Sequence, residues 1–216
     1  MKSQPNDRLK GAAKTNAAAI LLIPKQNFLT LQVDDYSAKF DRSLRTGILK
    51  WLSQKMLLAY EKEHGTGKAA GWKTNGIFSL EKQWLLSNFE ENSKGKTCTL
   101  MIRQPNFLTE TLIQKVYQEI KINSCHPLLA EIKFITTESR LCCQVIHVGS
   151  FEELNKSLAV LKQYVQQHHY EYADSYFREI DLVRENENDC RTMRKIVRCS
   201  VREKVEGVSE IKPLFI

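Results

Sequence analysis

Residues 176–201, YFREIDLVRENENDCRTMRKIVRCSV, read as two strands joined by a polar loop. Side chains along a strand alternate faces, so Phe177, Glu179 and Asp181 share one face and Tyr176, Arg178, Ile180 and Leu182 the other. Glu179 thus sits inside an aromatic-flanked strand. Burying a carboxylate is costly without a partner, so Glu179 is exposed, paired with a basic neighbour, or kept for a ligand.

Before this stretch the period changes. Leu154, Leu158, Leu161 and Val165 recur at helical spacing, and Ser150 with Glu153 forms the capping box that opens such a helix. His168, His169, Tyr170 and Tyr172 fall in the loop beyond it. Glu131–Thr137 and Leu141–Val148 read as strands, joined as a hairpin around Glu138–Arg140. Ala17–Val33 is strand-like, with an interruption at Pro24. Phe40, Leu44, Ile48, Trp51, Leu52 and Leu58 mark out one face of a long helix. Gly76–Leu86 and Thr97–Arg103 follow as strands, and Thr109 caps a helix striped by Leu112, Val116 and Ile120.

The order is strand, long helix, strand, strand; a linking helix; then strand, helix, strand, strand. One supersecondary unit used twice predicts an α+β fold: two β-α-β-β units in a pseudo-twofold arrangement, antiparallel sheet, and a ligand cleft between the units. Residues 1–16 are expected to be a flexible tail and 17–216 a single domain. Its first unit covers about 27–103, the linking helix about 108–122 and the second unit about 131–201.

Composition narrows the function. The 216-residue chain is 42% hydrophobic, which suits a globular protein. Its net charge of +7 is spread over helices and loops and, in the 191–204 cluster, interleaved with acids, which argues against a nucleic-acid surface. The apolar run Ala17–Ile23 stops at Pro24, too short to span a membrane, and leads into a strand rather than a cleavage site. Cys98, Cys125, Cys142, Cys143, Cys190 and Cys199 show no CxxC pair and no metal spacing, so reduced, mostly buried thiols in a cytoplasmic protein are expected. Neither a metal nor a cofactor is called for. The glycine-rich loop at 65–71 lacks phosphate-loop spacing and follows a helix. His147, on a strand beside Cys143 and Val145, reads as a core histidine.

Four segments carry a family resemblance. They are TLMIRQPNFLTETLIQKVYQEI (Thr99–Ile120), LCCQVIHVGSFEEL (Leu141–Leu154), Leu80-Glu81-Lys82-Gln83-Trp84, and Glu179-Ile180-Asp181-Leu182 with Ile196-Val197-Arg198 and Val201. Together they resemble the GyrI-like small-molecule-binding domains, over most of the chain from Phe28 to Val201. Three positions depart from the family pattern: Asp181 stands where a tyrosine is usual, Arg184–Glu187 replaces an Asp-Pro-Arg-Arg loop, and Asp34–Ser37 replaces a glycine-rich turn.

The resemblance implies a cleft that binds hydrophobic or cationic aromatic molecules, with Glu179 as the buried ligand contact. A carboxylate ringed by aromatics suits delocalised cations. Trp84, Phe78, Phe177, Tyr170 and Tyr172 are the candidate walls, and Glu81 a second acid that shapes the site. The resemblance also implies an alternative: hydrolysis of strained-ring xenobiotics such as cyclopropane-containing DNA-alkylating compounds, with Glu179 as the catalytic residue. A third reading is a protein-interaction module that modulates a topoisomerase. The expected partner is a small-molecule ligand, with no membrane; oligomeric state is left open.

Overall fold

The computed structural model describes residues 17–36, 38–65, 79–87, 96–123, 126–150, 153–182 and 194–204. Phe78, most of the glycine-rich loop, and the 183–193 loop with Cys190 lie outside these residues, as do Cys125 and the 1–16 segment. Along the described residues run β1 (Ala19–Ile23), β2 (Gln26–Val33), α1 (Lys39–His64), β3 (Leu80–Leu85), β4 (Cys98–Gln104) and α2 (Glu110–Asn123). After a 3-10 turn at Pro127–Glu131 come β5 (Lys133–Thr137), β6 (Arg140–Val148), α3 (Leu154–Gln167), β7 (Tyr170–Asp181) and β8 (Arg194–Glu203).

All strands pair antiparallel in one sheet, in the order β1-β6-β8-β7-β3-β4-β2-β5. The fold is α+β, and its symmetry can be read from this order. The β2-α1-β3-β4 unit supplies the run β3-β4-β2, the β6-α3-β7-β8 unit supplies β6-β8-β7, and the β3–β7 pair joins them at the pseudo-twofold.

The expected hairpin around Glu138–Arg140 does not form. β5 pairs with β2, and β6 pairs with β1, so each unit's preceding strand crosses to the other unit. The register runs on between the two pairings: Ile23 faces Arg140, and after two residues on each side Gln26 faces Thr137. β1 and β2 are therefore two arms of one bent strand, and β5 and β6 two arms of another. The bends fall at Pro24, which cannot donate to a ladder, and at Glu138, whose carboxylate meets the Lys25 ammonium at 3.0 Å. Two-residue links reach about 10 Å, whereas six strand spacings in a flat sheet come to about 29 Å. The sheet must therefore curl until its ends meet at this corner.

The curl gives the sheet an outer and an inner face, and the helices lie outside. Gln104 of β4 donates to Ser53 of α1 at 3.0 Å, and His147 of β6 meets Ser157 of α3 at 2.9 Å. Strand alternation puts Gln104 and His147 on the same face, so α1 and α3 share it. Leu29, Leu31 and Val33 of β2 point there and select the buried stripe of α1: Leu49, Leu52, Ser53, Met56 and Tyr60. Burying each large apolar side chain contributes about 1.5–3 kcal/mol. This corrects the expected stripe. Of its members only Leu52 is buried, while Phe40 is 82% exposed and Leu44, Trp51 and Leu58 are also exposed.

The inner face has no helix against it among the described residues, yet Phe28, Met101 and Glu81 are buried there. There the Arg178 guanidinium lies over the Phe28 ring, 4.8 Å from its centroid. β7 carries a bulge between Tyr172 and Phe177, where the register against β8 shifts. Two residues expected in a loop, Tyr170 and Tyr172, therefore belong to β7. No described helix is long and apolar enough to cross a membrane. Cys98, Cys142, Cys143 and Cys199 are buried free thiols.

Candidate functional site

The β3–β7 pair lies at the centre of the sheet, where the two units meet. On its outer face Lys82 is opposite Glu179 and Trp84 opposite Phe177. Glu179 is 1% exposed, and its carboxylate is fully engaged. Trp84 Nε1 donates to Oε2 at 3.1 Å, Lys82 Nζ donates to Oε1 at 3.3 Å, and Lys195 Nζ from β8 donates to the same oxygen. Lys82 also reaches both oxygens of Asp181, at 3.1 and 3.0 Å. Two ammonium groups and two carboxylates thus form a neutral quartet. Asp181, 40% exposed at its side chain, is the member nearest solvent.

Burial pushes the Glu179 carboxyl up, but the ammonium groups of Lys82 and Lys195 outweigh it and hold the group below its ordinary value. Burial presses on the Lys82 ammonium in the opposite sense, and Glu179 and Asp181 again outweigh it and raise its pKa. Both stay charged at neutral pH. Tyr36, in the turn after β2, closes one side of the quartet. Its ring stands edge-on to Trp84 at 4.8 Å between centroids, and the Arg42 guanidinium lies over it at 4.6 Å. Burial raises the Tyr36 phenol and pushes the Cys98 thiol up to about 12, so neither ionises at neutral pH.

The structure brings Glu179, Trp84 and Phe177 together on this face. Trp84 and Phe177 are almost wholly buried, so their rings contribute to the core as well. Glu81 lies on the inner face, because residues three apart on a strand point to opposite sides. There it meets Arg178 at 3.5 Å. Tyr172 is opposite Val201 and Glu179 opposite Val197, a separation of about 13 Å along β8. The bulge keeps Tyr170 and Tyr172 on the outer face while setting them apart from Glu179. Phe78 lies outside the described residues. His147 is 3% exposed, with one ring nitrogen on Ser157 Oγ and the other on the Ser150 carbonyl, both at 2.9 Å. The carbonyl can only accept, so Nε2 carries the proton.

The sequence alone does not single out Lys82, Lys195 or Tyr36. For Lys82 the signal is alternation: it lies two residues from Trp84, hence on the same face. Lys195 needed the β7–β8 register, which the 183–193 loop conceals.

No family model and no curated protein matches the chain. Solved structures do. A hydrolase from Listeria innocua aligns at a TM-score of 0.67 and 19% identity over 91% of this chain and 97% of that one. An uncharacterised conserved protein from the same organism aligns at 0.69 and 18%, over 91% and 98%. The C-terminal domain of EcmrR aligns at 0.52 and 15%, over 86% and 97%. In the EcmrR–DNA complex, at 0.51 and 16%, the chain covers 93% of its own length and 63% of EcmrR, so the fold itself gives no ground for setting nucleic acid aside. The fold is the GyrI-like one.

Proposed function

We propose that the protein binds flat aromatic small molecules on the outer face of the sheet, over Glu179, with Lys82 and Lys195 standing where a ligand's cationic group would otherwise lie. One observation carries this reading. A carboxylate 1% exposed sits where the two units join, and its cationic partners are two of the chain's own lysines. Desolvated carboxylates of this kind attract organic cations. With the quartet neutral, the unmodified chain has no net attraction for a cation, and a cationic ligand gains only by displacing a lysine. Uncharged aromatic ligands meet no such competition.

Hydrolysis, as in the similar Listeria innocua hydrolase, would need Glu179 to take a proton from water. A carboxylate held below its ordinary pKa by three donors is a weak base, so the geometry favours binding over turnover.

The test uses acridine, uncharged at pH 7.5, and N-methylacridinium, a cation of nearly the same shape. Thermal shift and fluorescence titration give their affinities. We expect the unmodified protein to bind acridine at least as well as the cation. Lys195→Met should shift the preference toward the cation by about tenfold, the scale of one close charge pair. Adding Glu179→Gln to Lys195→Met should abolish that shift. Failure of both compounds to bind any of these proteins would overturn the reading in favour of an interaction module. Hydrolysis products of a strained-ring analogue would favour the enzyme.

A further inference from the structure

The inner face carries a second cluster, separate from the Glu179 quartet. Arg178 of β7 and Arg198 of β8 are direct cross-strand partners, and both point inward. Like charges placed opposite one another on a sheet repel. Arg103 of β4 shares that face, on the strand beyond β3. Glu81 is the carboxylate among these three guanidiniums, and it lies 3.5 Å from Arg178. Burial pushes the Glu81 carboxyl up, against the pull of the three arginines.

A small cavity of about 30 Å³ opens beside this cluster, at the corner where the sheet closes. Arg178, Arg198 and Gln26 line it, and Arg140, Asp174, Glu138 and Tyr176 stand at its more exposed rim. There Asp174 meets Arg140 at 3.6 Å, and Glu138 is held by Lys25. Deeper in, Arg198 donates Nε to Gln144 Oε1 at 2.9 Å. Gln26 is 6% exposed, and its Oε1 has no hydrogen-bond partner among the described residues. Buried polar atoms in that state ask for a complement. The bulge of β7 brings Asp174 and Tyr176 to the rim, and bulges gather beside functional sites.

We infer that this corner cavity is a binding site for a small oxyanion, a phosphate or a carboxylate, held by the paired guanidiniums of Arg178 and Arg198 with Arg140 at its mouth. Guanidiniums match the geometry of both groups and remain charged at any physiological pH. A bound oxyanion relieves the repulsion between the cross-strand arginines. An O–H on the same ligand, as in hydrogen phosphate or a hydroxy acid, supplies the donor that Gln26 Oε1 lacks. The cavity holds only a few atoms, so the anionic group enters and any remainder of the ligand lies at the rim beside Tyr176. This site is on the opposite face of the sheet from Glu179 and stands or falls independently of it.

The experiment titrates the full chain with phosphate, sulfate, acetate and lactate, with chloride at matched ionic strength as the reference. Calorimetry and thermal shift follow binding. The arginine side-chain Nε–H resonances of the unmodified protein report where the anion sits. Saturable shifts of Arg178 and Arg198 with an oxyanion and not with chloride are expected. Arg198→Gln, which keeps a donor toward Gln144, should weaken the best oxyanion by about tenfold or more. Tighter binding of phosphate than of acetate and lactate would identify the phosphate source, and the reverse order the carboxylate. Arg140→Gln, at the exposed rim, should weaken binding by a smaller factor and serves if Arg198→Gln does not fold. Absence of oxyanion-specific shifts at Arg178 and Arg198 would overturn the proposal. So would equal oxyanion affinity in both variants and the unmodified protein.

Discussion

Glu179 behaves as a hub because two ammonium groups and an indole N–H converge on its carboxylate. Removing its charge alone leaves two buried ammonium groups with the single carboxylate of Asp181, and breaking a buried pair in this way costs about 3–5 kcal/mol. Glu179→Gln should lose that much in urea unfolding at pH 7, and Lys195→Met in the same chain should restore part of it. The pH dependence follows from the two shifts. The folded pKa of Glu179 lies below its ordinary 4.5, so its contribution is complete above that value and is lost as pH falls through the folded one. The Lys82 pKa is raised, so its contribution is complete below 10.5 and is lost as pH rises through the folded value. The quartet therefore supports the fold across the neutral range. Its acid limb lies below pH 4.5 and should shrink in the Glu179→Gln, Lys195→Met double variant. An unchanged acid limb would show that Glu179 is not the group being titrated. Much of this residue-scale picture is legible in the alternation along one strand. Alternation alone puts Phe177, Glu179 and Asp181 on one face, and pairing with a basic neighbour is one of the three options it leaves open. The identity of that neighbour stays hidden, because register between strands depends on the turn chemistry and core packing that join them.

At the scale of elements, α1 shows why a helical stripe can be misread. It has apolar residues on more than one face, and spacing alone does not say which face meets the sheet. Phe40, Leu44, Trp51 and Leu58 satisfy the period yet face outward, while Leu49, Met56 and Tyr60 are held against β2 and β4. Tertiary packing decides between stripes, and the deciding contact, Ser53 with Gln104, is polar and invisible to a hydrophobic count. The two stripes differ in what they contribute. Met56→Ala should cost about 2–5 kcal/mol, the range for emptying a buried site. Phe40→Ser should change stability by no more than about 0.5 kcal/mol, as surface substitutions do. Chemical denaturation of both variants measures the difference. A large loss in Phe40→Ser would mean that its face is covered in solution. The bulge in β7 defeats simple counting in a second place. Tyr172 and Phe177 are five residues apart, an odd number, yet share a face because the bulge absorbs the difference.

For the whole molecule, the sequence order of elements carries the α+β class and the repeated unit, because period and punctuation are local properties. The crossing of β1 and β5 to the opposite units is not legible there. Two strands separated by two residues look like a hairpin, and nothing local distinguishes a hairpin from one strand bent at a corner. That crossing has a thermodynamic consequence. β1 belongs by sequence to the first unit and is held by β6, while β5 precedes the second and is held by β2. Neither unit can open without stripping a strand from the other, so urea unfolding should be a single transition. Trp51, Trp72 and Trp84 all lie in the first half of the chain, whereas the far-ultraviolet dichroism reports on both halves. Fluorescence and dichroism should therefore trace the same curve, with one midpoint. Separate midpoints would mean that the halves melt independently and that the corner does not couple them. Shortening the chain past Ile23 should keep the two curves together while lowering their shared midpoint, because it bares the edge of β6 without uncoupling β5 from β2.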